Sequence, residues 1–481
     1  MYSTYDFFDS FQNGELPPFV TRDKNGRERV LAPALARFIR ENVYCLLVRD
    51  SGKYGLQTYV YEHGVYNLYD ERMFKGLLCD VVGSYNDDLV RMKDINEAYQ
   101  IITSYRNCIT HDKLNAREDL INFKNGLLFV SAGGCFLTPH DPAVYSTIQI
   151  PCDWVDEPRE TPIFDDYLDT LTDGNESVKT LLLQFMGVCF SNIKGYRMKK
   201  SLFMTGDGDT GKSQLKSLVE RLLGKGNFIG IDLREIESRF GTGAIYGTRL
   251  AGSSDMSFMS VDELKTFKKL TGGDSLFAEF KGQQAFEYTY NGVLWFCMNR
   301  LPKFGGDDGE WVYDRIMIVN CPNAVPKDKQ DRALCDKMLT EREGIIHQAV
   351  RALVQVFKNH YVFDEPASVV FARKKYIAKN NTVISFFNEC MRRREGDKIR
   401  DNATTARIYR VYKAWCSENN NGYAKTAREF KETLASYLGE DVDGMTKKLD
   451  GNHYYKTYTL TLEAKNEFKK VYGYDALNEI N

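Results

Sequence analysis

No CxxC pair occurs anywhere in the 481 residues, although the chain holds eleven cysteines. They sit singly, as at Cys45, Cys79, Cys108, Cys189 and Cys297, and the six histidines are equally scattered. This spacing argues against a zinc site and a disulfide framework, and suits buried thiols kept reduced. There is no charge-free apolar run of about 18 residues, so no membrane-spanning helix and no membrane partner are expected. The opening stretch Met1-Tyr-Ser-Thr-Tyr-Asp-Phe-Phe-Asp-Ser10 carries acid where a signal peptide carries base, and it lacks an apolar core. The expectation is a cytoplasmic protein. Net charge is also nearly missing, at -2. That gives no global attraction to nucleic acid but leaves a local one open, because only the field at a groove or pore matters for phosphate. Repeats and low-complexity tracts are absent; Asn419-Asn420-Asn421 reads only as a loop.

What is present is a soluble globular composition, 43% hydrophobic and 27% charged, at a length suited to about three domains. Residues 1–160 read as an aromatic-rich α+β region. Leu31 to Val48 has helical spacing, Tyr59 to Tyr66 alternates and turns at His63-Gly64, and Leu120 to Val130 is a strand pair broken at Asn125-Gly126. Pro151, Pro158 and Pro162 then punctuate the chain. Residues 161–370 alternate helix and strand, as an α/β sheet domain does. Glu176 to Asn192 reads as a helix, Ser201 to Thr205 as a buried strand and Gln214 to Leu223 as the helix after it. Further strands are expected at Thr248 to Gly252, Val293 to Met298 and Ile316 to Asn320, with a closing helix from Arg332 to Phe357. Residues 371–481 read as helices at about Thr404 to Ser417 and Ala427 to Leu438, then a hairpin from Met445 to Leu462, the outline of a winged helix. From Ala372 onward there are 21 Lys and Arg against 15 Asp and Glu.

The chemistry is concentrated in Gly206-Asp207-Gly208-Asp209-Thr210-Gly211-Lys212-Ser213, which fits GxxxxGK[ST] between a strand and a helix. The glycines let the backbone curl so that successive amides point at a phosphate, and the following helix adds its positive dipole end. Lys212 can reach the β- and γ-phosphates of ATP, and the Ser213 hydroxyl can ligate Mg²⁺. An acid is needed on the Mg²⁺ side at the end of a strand beside the loop strand, and Asp255, after Leu250-Ala-Gly-Ser-Ser, is the candidate. Asn299 ends another strand and can orient water or sense the γ-phosphate. Arg315, at the start of Ile316-Met-Ile-Val319, can serve a neighbouring subunit as an arginine finger. Strand-end acids and amides also serve as plain caps, and a lone arginine as a surface ion-pair partner.

Together these residues resemble the superfamily III helicases, most closely the helicase module of phage and plasmid primase-helicases and poxvirus-type replication helicases. Arg239-Phe240-Gly-Thr-Gly-Ala-Ile-Tyr-Gly247-Thr-Arg249-Leu250 is similar to the stretch leading into that family's second motif. Lys268 to Asp274, then Glu279 to Gly282 and Phe286-Glu287-Tyr288, resemble its B′ motif and pore hairpin. Cys297-Met-Asn299-Arg300-Leu301-Pro302 resembles its sensor strand, Asp308 to Arg315 its arginine-finger segment, and Glu343-Gly344-Ile345 a signature on the closing helix. Ile121 to Leu127 with Leu137-Thr-Pro-His140 resembles the segment preceding the motor, and Asp401 to Leu462 the C-terminal winged helix. The size also resembles replication initiators of staphylococcal pathogenicity islands.

The resemblance implies an AAA+ P-loop motor flanked by an N-terminal α+β domain and a C-terminal winged-helix domain. It implies an ATP-dependent DNA helicase and replication initiator of a mobile element, working as a homohexamer in a bacterial host cell. Lys212, Ser213, Asp255 and Asn299 would act from one subunit and Arg315 from the next. Single-stranded DNA would meet Lys281 and Phe280 on the hairpin. Duplex DNA would meet Lys425, Arg428 and Lys431 on the second helix of the winged fold, with Lys447, Lys448 and Lys456 on its wing, while Tyr409, Trp415 and Phe430 read as core. Two departures limit the likeness. Ser254 precedes Asp255 where many members pair two acids, so either Asp255 serves both metal and water or Asp262 or Glu263 helps it, and with no primase module evident, priming is not implied. A DNA-binding AAA+ loader or regulator is the second reading. A small-molecule P-loop kinase is a third, disfavoured by the basic tail and by the position of Arg315.

Overall fold

A computed structural model describes residues 16–49, 56–258, 260–261, 264–279, 285–304, 310–396, 398–399, 402–418 and 424–467. The chain divides into two compact units. One holds Met1–Met256, Lys265–Asn299 and Asn320–Pro366, and the other Ser257–Leu264, Arg300–Val319 and Ala367–Asn481.

The first unit opens with helices Ala32–Asn42, Glu71–Gly83 and Met92–Thr103 around a core that includes Phe19, Leu35, Phe74 and Ile95. The helical spacing read from Leu31 to Val48 ends early. Val43 caps the helix in extended conformation, and Cys45–Val48 pairs instead with Gln57–Glu62, so cross-strand pairing overrides the periodicity there. The hairpin turn at His63-Gly64 is as expected, both residues having positive φ (50° and 86°). A second meander, Leu120–Phe123, Gly126–Ser131 and Gly134–Thr138, is tied to the first by Asn122, whose side-chain amide donates to the Gly64 carbonyl at 2.8 Å.

Four strands of this unit run parallel in the order Phe228–Gly230, Leu250–Gly252, Val293–Met298, Ser201–Thr205. We refer to the last three as the acid, central and loop strands. Val-Leu-Trp-Phe-Cys-Met of the central strand is buried throughout, the run expected of a parallel strand covered on both faces. On its other side the loop strand meets the chain again at Cys321, whose amide donates to the Thr205 carbonyl at 2.7 Å. The closing helix is two helices, Leu334–Thr340 and Arg342–Lys358. The break falls at Glu341, whose carboxylate accepts from the Ile163 and Phe164 amides (3.0 and 2.9 Å) at the start of helix Pro162–Thr172. The Glu343-Gly344 pair has a local purpose as well. Glu343 pairs with Arg159, and a Cβ on Gly344 would lie 2.7 Å from the Arg159 carbonyl, so the helix clamps the irregular segment before Pro162.

In the second unit, helices Thr382–Cys390, Thr405–Glu418 and Ala427–Leu438 enclose Phe386, Tyr412, Trp415 and Phe430. Ala427–Leu438 begins in a capping box, Thr426 with Glu429, and ends at left-handed Gly439. The expected hairpin is Thr446–Leu449 with Asn452–Tyr455. The residues beyond it form a separate strand, Tyr458–Leu460, antiparallel to Met391–Arg393. Trp415 and Phe430 are buried, with Tyr409 packed against them.

One buried cation holds the approach to the acid strand. Arg249 is 4% exposed and donates to the carbonyls of Val188, Cys189 and Asn291 at 2.5, 3.2 and 2.6 Å. It thereby caps helix Glu176–Phe190 at its C-terminus. Replacing Arg249 with methionine would remove these three charge-assisted bonds, although the Val188 and Asn291 carbonyls would keep Ser191 and Gly195 as donors. The expected loss is about 3 kcal/mol of unfolding free energy in urea titration, and a loss under about 1 kcal/mol would contradict this role.

Candidate functional site

The loop strand ends at Thr205 and helix Lys212–Leu223 begins just past Gly211, so the intervening residues must turn tightly. They do so with positive φ at Gly206 (154°), Asp209 (63°) and Gly211 (88°). Gly211 is hemmed in as well. A Cβ there would lie 3.1 Å from the Tyr167 ring, whose hydroxyl donates to the Gly211 carbonyl at 2.7 Å. Burial holds that phenol well above its ordinary pKa, so it stays a donor. The Asp209 carbonyl accepts from the Val325 amide at 2.9 Å, which anchors the loop on its outer side.

Lys212 is 5% exposed, and its ammonium donates to the Asp207 carbonyl at 2.8 Å. A phosphate oxygen at the loop would offer this cation a stronger, charge-assisted partner. The Ser213 hydroxyl donates to the Ser254 carbonyl at 2.5 Å, which brings the start of the helix against the residue before Asp255. Asp255 itself is exposed. Next to it the central strand continues the pairing. The Cys297 amide donates to the Ser253 carbonyl and the Met256 amide to the Cys297 carbonyl, both at 2.8 Å, and Met256 bridges Met298. The central strand then ends at exposed Asn299. The Cys297 thiol, pushed by burial up to about 12, stays protonated and lies 3.4 Å from the Lys212 carbonyl.

One expectation needs correcting. The acid strand does not lie beside the loop strand. The central strand intervenes, pairing Trp295–Met298 with Leu202–Thr205 and Val293–Leu294 with Leu250–Ala251. Asp255 still comes near Ser213 because the chain beyond Gly252 continues along the end of the central strand at Met256 and Met298.

Arg315 belongs to the second unit, half-buried at the start of strand Ile316–Asn320, with its amide donating to the Val312 carbonyl. Phe280, Lys281, Asp262 and Glu263 lie outside the described residues. The hairpin stem is described. Leu276–Ala278 pairs with Phe286–Tyr288, braced by the stretch that precedes the acid strand. Arg239 donates through two nitrogens to Glu279 (2.9 and 2.8 Å), the Thr242 hydroxyl donates to the Phe277 carbonyl (2.6 Å), and the Tyr288 hydroxyl donates to the Thr242 carbonyl (2.5 Å). Glu237 accepts from the Thr266 and Phe267 amides at the start of helix Lys265–Gly272.

Among the C-terminal cations, Lys447 and Lys448 are exposed on the first hairpin strand, opposite Tyr454 and His453, and Lys456 is exposed just beyond the second. Lys431 is half-buried on its helix. Arg428 is exposed but paired with Glu432 at 2.8 Å, and half-buried Lys425 lies 3.4 Å from the Thr433 hydroxyl.

Sequence reasoning missed Tyr167, Glu237, the Arg239–Glu279 pair and Lys216. Lys216 is wholly buried one helical turn after Lys212 and pairs with Glu220. Only the last had a local signal, the (i, i+4) spacing of Lys212, Lys216 and Glu220.

Comparison with known proteins adds three family matches. Residues 204–315 match a family of unknown function, DUF5906, residues 378–469 a poxvirus D5 protein-like family, and residues 86–173 a D5 N-terminal-like family. A protein of Invertebrate iridescent virus 3 named as a candidate helicase, 121R, is 28% identical over 274 residues. The match takes in 46% of this chain and 28% of that protein, so the chain spans little more than a quarter of that relative. Among solved structures, an apo A-form of the C-terminal region of NrS-1 aligns over 89% of this chain and 98% of its own, at 10% identity and a TM-score of 0.47. A second apo A-form of that region covers 89% and 99%, at 10% identity and a TM-score of 0.45.

Gly211 gives the loop its test. Gly211→Ala adds left-handed strain and a contact with Tyr167, and is expected to weaken binding of a fluorescent ATP analogue at least about tenfold. Unchanged affinity with an intact fold would mean that phosphate is held elsewhere.

Proposed function

The chain belongs with the D5-type superfamily III primase-helicases, and on that premise we propose that it is an ATP-driven DNA helicase and replication initiator of a mobile genetic element. The observation that carries this reading is the convergence of Lys212, Ser213, Asp255 and Asn299 at the carboxyl ends of three adjacent parallel strands, with Ser213 hydrogen-bonded to the residue before Asp255. Open α/β sheets bind ligands at this edge.

The donor set fits a triphosphate with Mg²⁺. Lys212 now rests on the Asp207 carbonyl and Ser213 on the Ser254 carbonyl, both weaker partners than a phosphate oxygen or a metal ion. Lys212 and the loop amides would hold the phosphates, and Ser213 and Asp255 would hold the metal, which supplies charge neutralisation on the β- and γ-oxygens. Asn299 would orient the attacking water. Asp255, exposed and next to Ser254, is the acid we assign to the metal side. Arg315 would complete the site of a neighbouring subunit, in an AAA+ ring that we take to be a homohexamer.

Motion at the acid strand has a short route to the hairpin. The chain from Glu237 to Arg249 braces the hairpin stem and then becomes the acid strand. Lys281 and Phe280 would meet single-stranded DNA at the hairpin turn. The second unit's helix pair and hairpin suit a winged helix. There Lys447, Lys448 and Lys456 are exposed and would meet a duplex, while Lys425 and Arg428 are already engaged by Thr433 and Glu432. A DNA-binding AAA+ loader without processive unwinding is the alternative reading, and it shares every feature except the hairpin's purpose.

With forked DNA and ATP, the full chain should displace the labelled strand and run as a ring in native mass spectrometry. ATPase without displacement would favour the loader. Lys212→Ala should abolish ATP hydrolysis and leave duplex binding largely intact; a variant that still turns over ATP would refute the loop assignment. Arg239→Glu should keep basal hydrolysis and lose stimulation by single-stranded DNA, with Glu279→Arg restoring it in the double variant. No restoration would mean that the pair does not link the acid strand to the hairpin.

A further inference from the structure

Helix Ala367–Asn380 belongs to the second unit and runs into helix Thr382–Cys390 at Asn381. Phe371, Lys374 and Lys375 are on its exposed side. Val369, Arg373, Tyr376 and Asn380, at helical spacing, form the stripe turned inward.

Tyr376 is the buried centre of that stripe. Its hydroxyl donates to the Pro302 carbonyl at 2.6 Å, and its ring meets that of Tyr313 edge-on, with centroids 5.6 Å apart. Burial holds the phenol well above its ordinary pKa, so it stays a donor. One turn earlier on the same face, the Arg373 guanidinium donates to the Ile316 carbonyl at 3.5 Å, the long end of such a bond.

These partners bracket Arg315 along the chain. Pro302 lies three residues beyond Asn299, while Tyr313 stands two residues before Arg315 and Ile316 one after it. The stretch from Pro302 to Tyr313 is therefore held at both ends by one side chain, and strand Ile316–Asn320 is met at its first carbonyl. Between them the Arg315 amide closes a short turn on the Val312 carbonyl at 3.1 Å. An arginine side chain has several rotatable bonds, so a small tilt of its backbone is magnified at the guanidinium. Reach to a fixed point needs a fixed root.

We propose that Tyr376 is a positioning residue for Arg315. By joining the Pro302 carbonyl to the Tyr313 ring it fixes the backbone from which that arginine reaches the phosphates held by a neighbouring subunit. The inference rests on the assignment of Arg315 above and deepens it. The contacts all lie in the second unit, whereas the phosphate loop lies in the first, so the effect falls on turnover and not on nucleotide affinity.

The test is a double-mutant cycle on the full chain, read as ATPase kcat and KM and, for slow variants, as single-turnover hydrolysis of radiolabelled ATP. Arg315→Ala should lower kcat at least about a hundredfold while a fluorescent ATP analogue still binds. Tyr376→Phe keeps the ring against Tyr313 and removes only the hydroxyl. Its kcat should fall roughly tenfold, with KM within about twofold of the wild type. On the Arg315→Ala background the same change should lower kcat no further, because the group it positions is gone. A further fall there of the same size, or a Tyr376→Phe rate equal to the wild type, would overturn the proposal and leave the assignment of Arg315 standing. If Arg315→Ala alone leaves kcat unchanged, that assignment fails and the positioning role fails with it. Should Tyr376→Phe lose the analogue, Arg373→Gln, on the same helix face, takes its place in the cycle with the same outcomes.

Discussion

The register of the central strand is the constraint on which the rest of the site depends. Val293–Met298 is paired on one side with the loop strand and on the other with the acid strand, and it is buried along its whole length. A shift of one residue would turn Trp295 and Cys297 to the opposite face and misplace Asn299 at the edge. The same strand continues the pairing past the regular sheet, through Ser253, Cys297 and Met256, and so sets how far Asp255 stands from the phosphate loop. One strand thus positions both Asp255 and Asn299, although only Asn299 follows directly from its end.

Buried polar groups fix the shape around that strand. The Tyr167 hydroxyl, the Arg249 guanidinium and the Lys216–Glu220 pair are enclosed, and each has its hydrogen-bond partners. Enclosed polar groups of this kind cost stability if left single and specify geometry when satisfied. They act where the backbone is least regular, at Gly211, at the turn before the acid strand and beneath the loop helix. A loop with positive φ at three residues needs such support to keep its amides in one arrangement before any phosphate arrives.

Much of this was legible in the sequence, and the failures have identifiable causes. The loop motif, the buried strands Ser201–Thr205 and Val293–Met298, the Asn125-Gly126 turn and helix Ala427–Leu438 follow from local rules of spacing, capping and turn chemistry. Strand order does not, because nothing local to Leu250–Gly252 says that Val293–Met298 will pass between it and the loop strand. The break at Glu341 was hidden for the same reason, since its partners are amides at Ile163 and Phe164. Tyr167 carries no signal at all within its own helix. The basic tail was legible as composition only. Which cations are engaged depended on neighbours such as Glu432, one turn from Arg428, and Thr433, on the helix that Lys425 precedes.

A division of labour follows from where the contacts lie. The pairs that hold the nucleotide edge in shape are enclosed, whereas Arg239–Glu279, which ties the hairpin stem to the chain entering the acid strand, is at the surface, with Arg239 73% exposed. Enclosed contacts are strong and slow to exchange; a surface ion pair is weak, screened by salt and easily remade. The proposed motor would need both kinds, because the loop edge would have to present the same donors on every cycle while the hairpin moved with a change of occupant there. With the breakable contact on a covalent stretch shared by the acid strand and the hairpin brace, the proposed motor would let a small shift at Ser254 be felt at Glu279 without loosening the sheet. The hydroxyl contacts of Thr242 and Tyr288 beside it keep the stem paired while the ion pair opens, so the hairpin would swing as a unit and not unravel.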